Sequence, residues 1–129
     1  MHPVTGLSVG RIVIGIGAVA APDLAGRLFR LNVSGNPQLP YMMRMFGSRE
    51  IALGAVTLAS RGRARSALTA VGIAVDGADA FAGLDAGTRG LVSPSTSKFL
   101  TAPALGAVAT GLLGLTGLAL RSRKKPAGG

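Results

Sequence analysis

Long apolar runs alternate with short polar or basic breaks along the chain. Val4 to Ala21, Tyr41 to Ser60, Ala67 to Leu84 and Lys98 to Leu120 each approach the ~20 residues that a helix needs to cross a bilayer. None alternates as a half-buried strand does, and none leaves the polar stripe of a helix resting on a water-facing core. The pattern predicts an all-α fold: a four-transmembrane-helix bundle forming one domain over 1–120, followed by a basic flexible tail over 121–129. A signal peptide is the rival reading of the first run. No Lys or Arg precedes that run and Arg11 interrupts it, so a retained helix is expected.

The breaks carry their own predictions. Pro22 and Asp23 suit a helix start, and Leu24 to Leu31, with Arg27 and Arg30 on one side, predicts a short interfacial helix after helix 1. Asn32 to Pro40 reads as loop, Arg61 to Ser66 as a tight basic turn, and Asp85 to Ser97 as a polar loop punctuated by Gly, Ser and Pro. Pro103 is expected in the first turns of the last helix, where its missing N–H is tolerated.

Composition supports the bilayer as solvent. Apolar residues make up 48% of the 129-residue chain and charged ones 15%, against roughly 25% charged in an ordinary soluble domain. Aromatic residues are scarce and Trp is absent, so a base-stacking platform is not available. The net charge of +9 would suit nucleic acid, but the basic residues gather at the ends of apolar runs, where they set membrane topology. Arg61, Arg63, Arg65, Arg121, Arg123, Lys124 and Lys125 fall on one side and Arg27, Arg30, Arg89 and Lys98 on the other. Both termini are therefore expected in the cytoplasm, and the protein in a bacterial inner membrane as a multi-pass protein, with the lipid bilayer as partner and no nucleic acid. With no Cys and His2 as the single His, no metal site, bound cofactor or catalytic set is expected: the chain does not read as an enzyme.

Within this frame the ionisable residues become the candidate site. At about 1.5 Å of rise per residue, Arg11, Arg49, Glu50, Asp76 and Asp79 fall near one mid-bilayer layer. A lipid-facing charge there costs a few kcal/mol, so these groups are expected to face inward and pair. Arg49 with Asp76 and Arg11 with Glu50 are the expected pairs. Asp79, one turn from Asp76 on the same face, is then the surplus acid. Such pairs serve either to fix helix register or as a functional polar site. Arg44 and Tyr41 are expected at the outer mouth, Arg44 reaching for headgroups and Tyr41 as an interfacial aromatic. Met42, Met43 and Met45 are read as packing filler. Small residues spaced four apart, Gly6 with Gly10, Ala107 with Gly111 and Thr110 with Gly114, together with Gly47, are expected to pack helices closely.

The stretch YMMRMFGSREIALG, with its Arg-x-Phe-Gly-x-Arg-Glu core, and the opening GRIVIGIGAVAAPDLAGRLF resemble a family of small, largely actinobacterial four-helix membrane proteins of unknown function. In outline the chain is similar to the DoxX-like group, some of whose members are linked to redox or quinone systems. The resemblance implies a four-helix membrane fold and singles out Arg11, Pro22, Arg44, Gly47, Arg49 and Glu50. Three functional expectations follow. The first is an interaction or accessory subunit, as a homo-oligomer or in a larger membrane complex, since Gly-rich helices come with no catalytic set. The second is a proton-coupled small carrier or polar-ligand site on the intramembrane charges. The third, implied only by the DoxX-like outline, is a redox or quinone-associated helper.

Overall fold

The computed structural model describes residues 2–124. These form five helices, α1 (Pro3–Ala20), α2 (Pro22–Leu28), α3 (Leu39–Ala59), α4 (Gly62–Thr88) and α5 (Pro94–Lys124), with no strand among the described residues. Three of them, α1, α4 and α5, are long and apolar enough to cross a membrane. The helix α3 has the length, but Arg44, Arg49 and Glu50 lie within its 21 residues and raise the cost of lipid exposure.

Several element ends differ from the pattern, each for a local reason. The basic stretch after α3 is not a turn: the reversal takes place at Ser60 and Arg61, and α4 begins at Gly62, whose φ of 58° is the left-handed conformation open to glycine at no steric cost. Arg65 then reaches back, its Nε donating to the Thr57 carbonyl at 3.3 Å and Nη2 to the Leu58 carbonyl at 3.1 Å. This cation satisfies acceptors that the end of α3 leaves open.

At the other end of α4 the helix runs past Asp85 to Thr88. Gly90, at φ 69°, closes it. Leu91 N–H donates to the Ala86 carbonyl and Gly90 N–H to the Gly87 carbonyl, the paired bonds of a Schellman ending. Ser93 Oγ then accepts from Thr96 N–H at 3.1 Å, and Pro94 opens α5 in the position that suits proline. The expected polar loop thus shrinks to Arg89–Ser93. Because α5 starts early, Pro103 lies inside the helix, where it removes one helix hydrogen bond. Beyond Leu120, Arg121, Arg123 and Lys124 continue α5, cations at a helix C-terminus being favourable. The rest of the expected flexible tail, 125–129, lies outside the described residues.

His2 caps α1, its Nδ1 accepting from Val4 N–H at 3.2 Å. Burial, then the nearby charges of Arg121 and Arg65, lower its pKa below the ordinary imidazole value, favouring the neutral ring that can accept this bond.

The helices pack as two close pairs, α1 with α3 and α4 with α5. In the first pair backbones nearly touch: a Cβ built on Gly47 would lie 2.6 Å from the Gly15 carbonyl oxygen, and one on Gly54 2.5 Å from that of Ser8. The pairs meet through narrower contacts of α1 with α5 and of α3 with α4. At the α1–α5 seam a Cβ on Gly114 would come 2.5 Å from Val4 Cγ2, and Leu7 reaches Gly111. The helix α2 lies over the start of α3. There Ala18, Leu39 and Met43 form the buried core with Phe29 and Phe46 against it, the two rings edge to face at 6.0 Å. Arg30, at φ 60°, follows α2 in a conformation few side chains adopt. The start of α5 holds it there: Thr96 Oγ1 donates to its carbonyl at 2.7 Å, its Nη1 donates to Ser95 Oγ at 3.2 Å, and its guanidinium stacks on Phe99.

Candidate functional site

Three ionisable residues from three helices meet in the interior. Arg11 of α1, Glu50 of α3 and Asp76 of α4 are all buried. Arg11 Nη1 donates to Glu50 Oε2 at 2.8 Å and to Asp76 Oδ1 at 3.1 Å, and Nη2 donates to Asp76 Oδ2 and to the Gly72 carbonyl at 3.4 Å. The planar fork of arginine suits this two-pronged grip on a carboxylate. Gly72 stands one turn before Asp76, and a Cβ there would sit 3.0 Å from Arg11 Nη2, so the glycine both accepts from the guanidinium and leaves it room.

A second arginine sits nearer the surface. Arg49 donates through Nη2 to Asp79 Oδ2 at 2.5 Å and through Nη1 to Asp79 Oδ1 at 3.3 Å, and touches Glu50 Oε1 at 3.4 Å. Its Cζ lies 5.2 Å from the Phe46 ring centroid, within cation–π range. The Arg49 side chain is 39% exposed against 7% for Arg11, so the two arginines differ in how much each depends on its partners.

These contacts correct the expected pairing. Arg49 does not pair with Asp76, and Asp79 is not the surplus acid. Neighbours on a helix point about 100° apart, so Glu50 turns toward α1 while Arg49 turns toward α4. Asp76 and Asp79 differ by about 60° around α4, enough for Asp76 to meet Arg11 and Asp79 to meet Arg49. Arg11 does meet Glu50. Each arginine is thus gripped at two points by an aspartate, and Glu50 bridges both as the third carboxylate.

The cluster forms the floor of a chamber of about 660 Å³ between the helix pairs. Arg11, Glu50, Asp76 and Asp79 line it at that level, and the walls are almost wholly apolar, from Ile14, Phe46, Leu100 and Ala107 among others. Phe29, Leu31 and Leu39 close the end beneath α2. Beyond the Val4–Gly114 contact, a Cβ placed on Gly10 would meet no atom within 4 Å, and Ile14, although it lines the chamber, is 51% exposed.

The remaining expected positions divide. Gly47, Gly111 and Gly114 lie at close helix contacts. Gly6 and Gly10 both line the chamber, and α1 meets α3 through Ser8, Arg11, Gly15 and Ala18. Tyr41 is exposed at the start of α3. Arg44 is exposed as well, and its Nε donates at 3.2 Å to the Val19 carbonyl, one of the open acceptors at the end of α1. Met43 belongs to the core and, with Met42, lines the chamber. Sequence reasoning passed over Gly72 and Phe46. The first stood four residues before Asp76 and the second three before Arg49, the spacings that share a helix face. Neither family models, nor curated proteins, nor solved structures give a match to this chain.

Proposed function

We propose that the chain is a multi-pass protein of a bacterial inner membrane, with α1, α3, α4 and α5 all crossing and both termini cytoplasmic, and that its chamber binds a small amphiphilic molecule. The observation that carries this reading is the chamber itself, apolar along its walls and floored by four ionisable side chains. Pockets for small molecules take this form, a large apolar lining with a few polar groups that orient the ligand. The charges of α3 fit a crossing helix because Glu50 and Arg49 turn inward to partners and Arg44 sits within two turns of the helix start. The basic groups Arg61, Arg63 and Arg65 of the α3–α4 corner lie at the same end as Arg121, Arg123 and Lys124 of α5, as the positive-inside bias favours.

Saturable uptake of a neutral environment-sensitive dye, Nile red, by the protein in nanodiscs tests the reading once lipid-only uptake is subtracted. Ala107→Phe, which fills the chamber, should abolish the saturable part, and Ala102→Phe on the exposed face of α5 should leave it. Absence of saturable uptake, or equal loss in both variants, would refute the chamber as a binding site.

A second reading, a homo-oligomer, is favoured by one feature. Ala67, Ala70, Ala74 and Gly77 are exposed along one side of α4, a small-residue seam of the kind that lets membrane helices approach closely.

A further inference from the structure

Resting on the chamber reading above, we propose that the occupant is a hydrophobic organic monocation, held by the third carboxylate of the chamber floor. The charge count comes first. The floor joins two guanidinium groups, Arg11 and Arg49, to three carboxylates, Glu50, Asp76 and Asp79, so with every group ionised one negative charge is unmatched. Among the described residues no other element neutralises it. The helix α5 presents Leu100, Pro103, Ala104, Ala107 and Thr110 to the chamber, α2 and its following loop present Phe29 and Leu31, Arg30 is turned to Phe99 and Ser95, and Arg44 to Val19.

An unmatched charge away from water is costly and is relieved by a counter-charge. Geometry places the excess on Glu50. Asp76 and Asp79 each hold an arginine at two points, whereas Glu50 has one bond to each arginine, at 2.8 and 3.4 Å. Glu50 is also part of the chamber lining, so a cation within the chamber reaches the excess directly.

The walls select the kind of cation. Among the described residues no three carboxylate or imidazole groups converge as metal ligands do, and an inorganic ion would find hydrocarbon on most sides. An organic cation buries its apolar body there. About 660 Å³ is within the range of roughly 300–1,000 Å³ that small-molecule sites occupy.

The test compares two probes of the same shape and opposite charge, tetraphenylphosphonium and tetraphenylborate, on the full chain in nanodiscs of zwitterionic lipid. The cation should bind saturably and the anion should not. Glu50→Gln and Asp79→Asn each remove the excess charge and should each abolish the preference for the cation, while Arg49→Lys, which keeps the count, should retain it. Asp79 is partly exposed, so its variant serves if Glu50→Gln does not fold. Equal binding of both probes would overturn the monocation while Nile red uptake blocked by Ala107→Phe left the chamber reading standing. Loss of both signals would overturn the two together.

Discussion

Arg11 and Arg49 show how much a residue's burial governs its weight. Both are arginines at mid-depth, both hold aspartates at two points, and sequence gives no reason to rank them. Arg11 is buried with its partners, so removing it strands Glu50 and Asp76 as uncompensated interior charges. Arg11→Met should cost about 3–5 kcal/mol, the range for breaking a buried pair. Arg49 and Asp79 are 39% and 33% exposed, and Glu50 keeps its bond to Arg11 when Arg49 is lost, so Arg49→Met strands Asp79 alone and should cost less than Arg11→Met. Reversible unfolding in mixed micelles, followed by circular dichroism, measures both. Adding Asp76→Asn to Arg11→Met should recover part of the loss, since the stranded charge is what makes the single variant costly. Equal effects of the two arginine variants would contradict this difference in burial.

At the scale of elements, glycines divide by what lies opposite them. Gly47 and Gly15 let α3 and α1 touch backbone to backbone, so Gly47→Ala pushes a methyl against a carbonyl oxygen that side-chain movement cannot relieve. A loss of about 1–3 kcal/mol is expected, as for other overpacked sites. Gly77 has nothing within 4 Å of a Cβ position, and Gly77→Ala should be neutral or stabilise by up to ~1 kcal/mol through helix propensity. The same unfolding measurement distinguishes the two, and a larger loss at Gly77 than at Gly47 would overturn the packing described. Spacing along the chain does not by itself make this division. Gly6 and Gly10 satisfy the four-residue rule as well as Gly111 does relative to Ala107, yet they line the chamber, because which side of α1 meets α3 is decided by Ser8, Gly15 and Ala18. Helix ends were legible where their chemistry was local, as at Pro22. They were missed where a helix ran on through polar residues, as at Arg63 and Ser95, since polarity marks solvent rather than the end of a helix.

For the whole molecule, the open question is whether one copy is the working unit. If the Ala67–Gly77 seam of α4 joins two copies, Ala74→Cys in this otherwise Cys-free chain should form a disulfide-linked dimer in native membranes under mild oxidant, and Leu113→Cys on the exposed side of α5 should not. Monomer at both positions would remove the oligomer reading and leave the chamber as the property of a single chain. The sequence by itself determined the helical class, the approximate helical runs and the common level of Arg11, Arg49, Glu50, Asp76 and Asp79, because hydropathy and a fixed rise per residue are additive along a chain. Only the tertiary structure decided that Arg11 rather than Arg49 holds Asp76, that Glu50 rather than Asp79 bridges the two arginines, and that a chamber opens above them. Those outcomes depend on how each helix is rotated about its axis and how far apart the two helix pairs settle. Rotation and separation are fixed by side chains meeting across helices, and such meetings are not additive along the sequence.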